Sequence, residues 1–267
     1  MFHRPMAGKG CDPVKQAAGK VYLVGAGPGA PDLLTLRGAE ILSRAEIVFH
    51  DALVHPDVLA RATRAEKIAV GKRCGKFTTA QQFINKRLVD AARKYRVVVR
   101  LKGGDPMLFG RAQEEIAALE AAGVPYEVVP GVTSALAAAA EAGVSLTQRG
   151  IARTVAFVTP RIGEGEAPSN WASSAASADT AVIYMGAGQA EQVAAALIAA
   201  GAPRGTPVLV AENATLPQAR RIALTLEELP QVAYYGITGP TLIMVGGAFA
   251  AALAASEREA QRKTAQS

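Results

Sequence analysis

Short runs of β-branched and other apolar residues alternate along the chain with stretches whose apolar positions recur every three or four residues. The first pattern predicts strands buried on both faces, the second amphipathic helices. VYLV at 21–24 precedes a helix expected from about Thr35, with Leu36, Ala39 and Leu42 along one face. EIVF (46–49) and KIAV (67–70) follow, then a helix with the stripe Ile84, Leu88 and Ala91. Its start reads as a capping box, Thr79 with Gln82 three residues on. VVVRL (97–101) leads to a helix carrying Ala112, Ile116 and Leu119 inward and closed at Gly123. YEVV (126–129) is the fifth strand of this half.

The second half repeats the style with TVAFV (154–158), TAVIY (180–184), PVLVA (207–211), RRIALTL (220–226) and TLIMV (241–245). A helix through Val193, Leu197 and Ala200 is stopped by Gly201 and Pro203. Apolar strands separated by helices predict an α/β fold with mainly parallel five-stranded sheets, one in each of two domains, and a cleft between them. The expected organisation is a flexible arm (1–19), a first α/β domain (20–141), a linker (142–153), a second α/β domain (154–250) and a tail (251–267).

Composition narrows the class. Of 267 residues, 50% are hydrophobic and 19% charged, which supports a sizeable core and argues against disorder. The longest uncharged run, Leu229 to Ser256, is cut by Pro230, Gly236, Gly239, Pro240, Gly246 and Gly247, so no membrane-spanning helix is expected. The start, MFHRPMAGKGCDPVKQ, lacks the apolar stretch of a secretory signal. Cys11 and Cys74 are too few for a disulfide framework or a four-thiolate zinc site, so no metal and a reducing cytoplasm are expected. A net charge of +6 suits a polyanionic partner. Nucleic acid is a poor match, because aromatics make up only 5% and form no stacking platform.

The unusual residues gather where the strands end. VYLV runs into GAGPGAPD (25–32), EIVF into His50 and Asp51, and KIAV into Gly71, Lys72 and Arg73. VVVRL runs into Lys102-Gly103-Gly104-Asp105-Pro106, and YEVV into Pro130-Gly131-Val132-Thr133-Ser134. In the second half TAVIY is followed by Met185 and Gly186, and PVLVA by Glu212-Asn213-Ala214-Thr215. Open α/β sheets bind ligands beyond the carboxyl ends of their strands, so these loops predict one cleft shared by both halves.

GAGPGAPD resists a dinucleotide reading. Ala30 replaces the third glycine of the fingerprint, and Pro28 and Pro31 remove two N–H donors from a would-be phosphate site. Asp51 is nearly placed for the ribose partner of such a site. No phosphate-binding loop of the G-x-x-x-x-G-K-[ST] type occurs. In GGDP two glycines allow close backbone approach, and the carboxylate of Asp105 suits a cationic ligand group such as an ammonium or sulfonium. The same Asp can act as a local turn cap.

Taken in order, Val24-Gly25-Ala26-Gly27-Pro28-Gly29, Asp32-Leu33-Leu34-Thr35, Asp51-Ala52-Leu53-Val54, Val70-Gly71-Lys72-Arg73, Arg100-Leu101-Lys102-Gly103-Gly104-Asp105-Pro106, Phe109-Gly110-Arg111 and Val129-Pro130-Gly131-Val132-Thr133-Ser134 resemble the tetrapyrrole (class III) methyltransferases. The resemblance runs from about Lys20 to about Gly247 and implies the tetrapyrrole methylase fold, a homodimer and S-adenosylmethionine (SAM) held between two α/β domains, with S-adenosylhomocysteine as product. It implies two methyl transfers to uroporphyrinogen III, giving precorrin-2 by way of precorrin-1, on the branch towards siroheme, cobalamin or haem d1. A methyltransferase acting on a later precorrin, or an RNA-modifying relative, is the alternative.

Carried over, the SAM contacts fall on Pro28, Gly103, Gly104, Asp105, Leu108, Thr133, Ser134, Met185 and Ala214. Asp51 and Lys72 match a proton acceptor and donor, and Arg111 matches a base or anchor on the substrate side. Where the family has FGRGGEE, this chain has Ala112 and Gln113 in place of the glycines; it also carries Ser145 and Gln148 for a Pro and a His, and Thr159-Pro160-Arg161 for TGH.

This chemistry suits the residues. SAM brings its own leaving group, so the protein has mainly to align the reactants and exclude water. After methylation the macrocycle must lose a proton, which one base such as Asp51 can accept. Eight substrate carboxylates call for cationic side chains, with Arg111 and Arg149 the foremost candidates and Glu114, one turn on, able to lock the Arg111 guanidinium.

Overall fold

A computed structural model describes residues 19–70, 77–163, 165 and 167–264. Lys72, Arg73 and Lys76, together with Cys11 and Cys74, lie outside the described residues.

The first sheet consists of β1 (Lys20–Gly25), β2 (Ile47–His50), β3 (Glu66–Ala69), β4 (Val97–Lys102) and β5 (Tyr126–Val129), in the order β3-β2-β4-β1-β5 with every neighbour parallel. Successive side chains of a strand point to opposite faces, so each strand feeds two cores. Val24, Val48, Val99 and Leu101 pack with Ile41 and Leu42 of α1 (Leu36–Arg44) and Val58 of α2 (Pro56–Ala60). Leu23, Phe49 and Val98 pack with Ile84 and Leu88 of α3 (Phe77–Ala92) and Ile116 and Leu119 of α4 (Ala112–Ala121). Thr35 caps α1, its hydroxyl accepting from the Gly38 N–H at 3.1 Å.

The capping box expected at Thr79 is not the start of α3, which already includes Phe77 and so places Thr79 within the helix. A Thr-x-x-Gln pair is compatible with a helix interior as well as with its cap. The apolar stripe is as expected, with Ile84, Leu88 and Ala91 buried.

The second sheet holds β6 (Val155–Val158), β7 (Thr180–Tyr184), β8 (Pro207–Glu212), β9 (Arg220–Thr225) and β10 (Thr241–Gly246), in the order β6-β7-β10-β8-β9. All ten predicted strands are present, but this sheet is not mainly parallel. Only β6 and β7 run parallel; β7–β10, β10–β8 and β8–β9 are antiparallel. For β8 and β9 the reason is connectivity: no helix separates them, and a parallel return needs a long crossover. One face carries α6 (Trp171–Ser177) and α7 (Ala190–Ala199), with Val193 and Leu197 against Ile183, Val210 and Ile243.

The other face carries α5 (Ser134–Ala142), whose Ala135, Ala138 and Ala139 pack with Val182, Leu209, Leu242 and Met244. The chain therefore crosses to the second sheet before residue 134, earlier than the linker expected at 142–153. Small alanines let α5 lie close to that sheet. Leu146, within the expected linker, is buried in the same core. The C-terminal segment is likewise more structured than a tail: α8 (Ala250–Thr264) packs along β8 and β9. Among the described residues no helix is long and apolar enough to cross a membrane.

Candidate active site

Three backbone segments meet at the carboxyl end of the first sheet. The Gly27 N–H donates to the Gly104 carbonyl at 3.2 Å and the Gly104 N–H returns to Gly27 at 2.7 Å, joining the loop after β1 to the loop after β4. A β-carbon on Gly131, in the loop after β5, would lie 2.3 Å from the Gly104 carbonyl oxygen and 2.8 Å from the Gly25 Cα. Only glycine permits this closeness. Asp105 clamps the arrangement, one carboxylate oxygen accepting from the Gly131 N–H at 2.9 Å and the other from the Met107 N–H at 2.7 Å. The turn-cap role of Asp105 is thus realised, and each oxygen keeps a lone pair for a further donor.

The loop after β1 runs ten residues before α1 starts at Leu36, with only a three-residue 3₁₀ turn at Pro31–Leu33 between, so no α-helix N-terminus directly follows the glycines as a dinucleotide site requires. Asp51, the nearest thing to a ribose partner, is instead bound by Arg100, whose Nη2 lies 2.5 Å from its Oδ1. Asp51 follows β2, is part-buried, and stands beside the GGDP loop, since Leu53 packs 3.3 Å from the position of a β-carbon on Gly103.

Loops from the second sheet close over this end. The Ala30 N–H donates to the Thr215 hydroxyl at 3.0 Å. The Tyr184 hydroxyl, at the end of β7, shares a hydrogen bond with the Thr133 hydroxyl at 2.7 Å and accepts from the Ala135 N–H at 3.2 Å. Tyr184 thereby ties the second sheet to the N-terminus of α5, and its ring meets Phe109 at 5.0 Å between centroids. Met185, which follows β7, is 44% exposed and so is not a core residue.

Five described residues other than glycine have left-handed backbone: Phe109, Arg111, Met185, Asn213 and Thr215, with φ between 53° and 72°. All lie in loops following β4, β7 or β8. Such conformations cost of order 1–3 kcal/mol each and concentrate where function demands a particular side-chain direction. Arg111 is also the N-cap of α4, and its guanidinium binds Glu114 in a fork, Nε to Oε1 at 2.6 Å and Nη2 to Oε2 at 2.8 Å. That is the lock expected from their spacing.

A family model described as Tetrapyrrole (Corrin/Porphyrin) Methylases matches residues 20–230. The chain belongs to this family. Tetrapyrrole methylases similar to it include the native form of uroporphyrin-III C-methyltransferase from Thermus thermophilus, 41% identical with a TM-score of 0.77, the match covering 87% of this chain and 100% of that one. The same enzyme complexed with S-adenosyl homocysteine matches equally. A cobalt precorrin-4 methyltransferase is 32% identical with a TM-score of 0.76, covering 86% of this chain and 95% of that one. Siroheme synthases from Nitrosococcus oceani and Azotobacter vinelandii are each 45% identical, over 87% and 86% of this chain respectively. The chain spans about half the length of these curated relatives.

Of the residues singled out from the sequence, Pro28, Gly103, Gly104, Asp105, Leu108, Thr133 and Ser134 lie in the three joined loops and the start of α5, and Met185 and Ala214 in the loops that face them. Asp51, Arg111 and Glu114 border the same end. Lys72 lies outside the described residues. Arg149 is not brought to this end. Its turn is closed by a bridge between Gln148 and Ala152 and tied to the Ala248 carbonyl by the Gln148 side chain at 3.3 Å. Ala248 follows β10, whose Gly246 pairs with Thr180 while Leu242 pairs with Tyr184. Arg149 therefore sits at the opposite end of β7 from Met185, about 13 Å away along the strand. Spacing identified it as basic and near a boundary but carried no information about strand direction.

Sequence reasoning missed Tyr184, Arg100 and Glu115. Signals existed for each: a polar-tipped aromatic closing an apolar strand, and two charges at positions where strand and helix periodicity require apolar residues.

Proposed function

We propose that the chain transfers methyl groups from S-adenosylmethionine to two ring carbons of uroporphyrinogen III, giving precorrin-1 and then precorrin-2. The observation that carries this reading is the match along the full length of the Thermus thermophilus enzyme. The lower identity of the cobalt precorrin-4 methyltransferase favours the early substrate over a later precorrin. SAM, when bound, supplies a methyl group on a positively charged sulfur that leaves as a neutral thioether.

The cleft fits such a donor. A β-carbon on Gly104 would meet nothing closer than 3.9 Å, which leaves open backbone beside Gly103 for a ligand. Asp105 has lone pairs to spare, Ser134 opens α5, and Met185 and Ala214 offer an apolar wall; Pro28, Leu108 and Thr133 complete the lining. None of these needs to act as an acid or nucleophile, because the leaving group needs no proton.

On the substrate side, the Arg111 guanidinium, already oriented by Glu114, pairs with a carboxylate of the macrocycle. Asp51 accepts the proton that the macrocycle sheds after methylation, and Lys72 is the matching donor. We also place the enzyme in the cytoplasm as a homodimer. Exposed Leu136 and Phe157 line an apolar groove between α5 and β6, a surface suited to a second copy.

The test is anaerobic incubation with SAM and freshly reduced uroporphyrinogen III. A product heavier by two methyl increments, each offset by one proton, is expected; an unchanged mass after hours rejects the reading.

A further inference from the structure

Four ionisable side chains meet beneath the site. Arg100 and Lys102 project from β4 into the layer under α3 and α4, the face that Val98 shares. Their side chains are each 3% exposed, and that of Glu115, on α4, is fully buried. Arg100 Nε donates to Glu115 Oε1 at 2.9 Å, and Lys102 Nζ reaches both carboxylate oxygens at 3.1 and 3.2 Å. Gln81 of α3 adds an amide donor to Oε1 at 3.3 Å. From this sealed anchor the other arm of the Arg100 fork reaches outward to Asp51, and its Nη1 donates to the Leu101 carbonyl at 3.3 Å.

The formal charges balance, Arg100 and Lys102 against Asp51 and Glu115. Burial first, and the Arg100 charge second, hold the Lys102 ammonium below the ordinary lysine value, while Glu115 works in the opposite direction. Apolar side chains of similar volume would serve stability at least as well, so a buried ionic cluster is weak evidence for a purely structural role. What an ionic cluster supplies and an apolar one cannot is direction: a planar fork with two fixed ends. The turn above is also tied in. A β-carbon on Gly110, between Phe109 and Arg111, would lie 3.0 Å from Lys102 Cε.

We propose that Arg100, anchored from beneath by Glu115, is a positioning residue for the methyl transfer: it holds the Asp51 carboxylate at the mouth of the cleft, while Lys102 seats the Phe109–Arg111 turn on the same anchor. This rests on the reading of Asp51 as the proton acceptor. Removing the fork without removing the charge should leave a folded enzyme whose Asp51 is free to turn away.

The test is a cycle of Arg100→Lys, Asp51→Asn and the double variant, assayed with SAM and reduced uroporphyrinogen III. Arg100→Lys is expected to bind SAM within about twofold of wild type and to lose about tenfold or more in kcat, and to add no further loss on top of Asp51→Asn. Additive losses overturn the proposal, as does full activity of either single variant. If Arg100→Lys does not fold, Glu115→Gln takes its place in the cycle with the same expectation. A wild-type chain that methylates nothing defeats the functional reading instead, and the crystal structure of Arg100→Lys then decides the positioning: a displaced Asp51 carboxylate supports it, an unmoved one overturns it.

Discussion

At Gly131 the backbone of three loops comes within the space of one methyl group. Gly131→Ala must push the Gly104 carbonyl away and break the mutual hydrogen bonds of Gly27 and Gly104 that depend on it. The expected result is a loss of SAM affinity of about tenfold or more in calorimetry, with a lower melting temperature. Arg111→Ala, by contrast, removes a side chain that binds Glu114 and not the Gly27, Gly104 or Gly131 backbone. It should leave SAM affinity within about twofold and reduce turnover by about tenfold or more, since a bidentate carboxylate contact is lost. The Arg111–Glu114 lock was legible from spacing alone, because residues three apart on a helix face one another. The clamp made by Asp105 was legible only as a local turn cap: its second partner, the Gly131 N–H, lies 26 positions away and no local pattern encodes it.

Among the elements, β8 and the loop before β10 are joined through one buried carboxylate. Glu212 accepts from the Thr238 and Gly239 N–H groups at 2.8 and 2.7 Å and from Arg220 Nε at 2.7 Å. Burial on its own would raise its pKa, but the Gly239 and Thr238 amides and then Arg220 outweigh burial and hold the carboxyl below the ordinary 4.5. Because the folded value is depressed, the stabilisation is fully present above the unfolded value and is lost as pH falls through the folded one. Glu212→Gln should therefore lower the melting temperature at neutral pH, and the gap to wild type should narrow as the pH drops below 4.5. All ten strands could be read from apolar runs. Their direction in the second sheet could not, since apolar content reports burial and not polarity of the chain. The placement of α5 escaped for a similar reason: an alanine face fits either sheet.

For the whole molecule, the contact that matters is the one Tyr184 makes, its hydroxyl on the start of α5 and its ring on the loop after β4. Tyr184→Phe removes a hydroxyl that reaches both Thr133 and the Ala135 N–H while keeping the ring against Phe109. A loss of about 1 kcal/mol is expected, or a fall of about 2–4 °C in melting temperature for a chain of this size. Light scattering should return twice the 27.6 kDa chain mass, and Leu136→Glu should shift it towards the single chain. The cleft itself was legible, because strand ends in an α/β fold collect the loops; which basic residues reach it was not, as Arg149 shows.

The five left-handed side chains have a practical corollary. Glycine there would relieve backbone strain but free the unfolded chain, and at Phe109, Arg111 and Thr215 it would also lose the ring contact with Tyr184, the fork to Glu114 and the bond from Ala30. Engineers seeking a hardier catalyst would do better to leave those five alone and work on the outer helices.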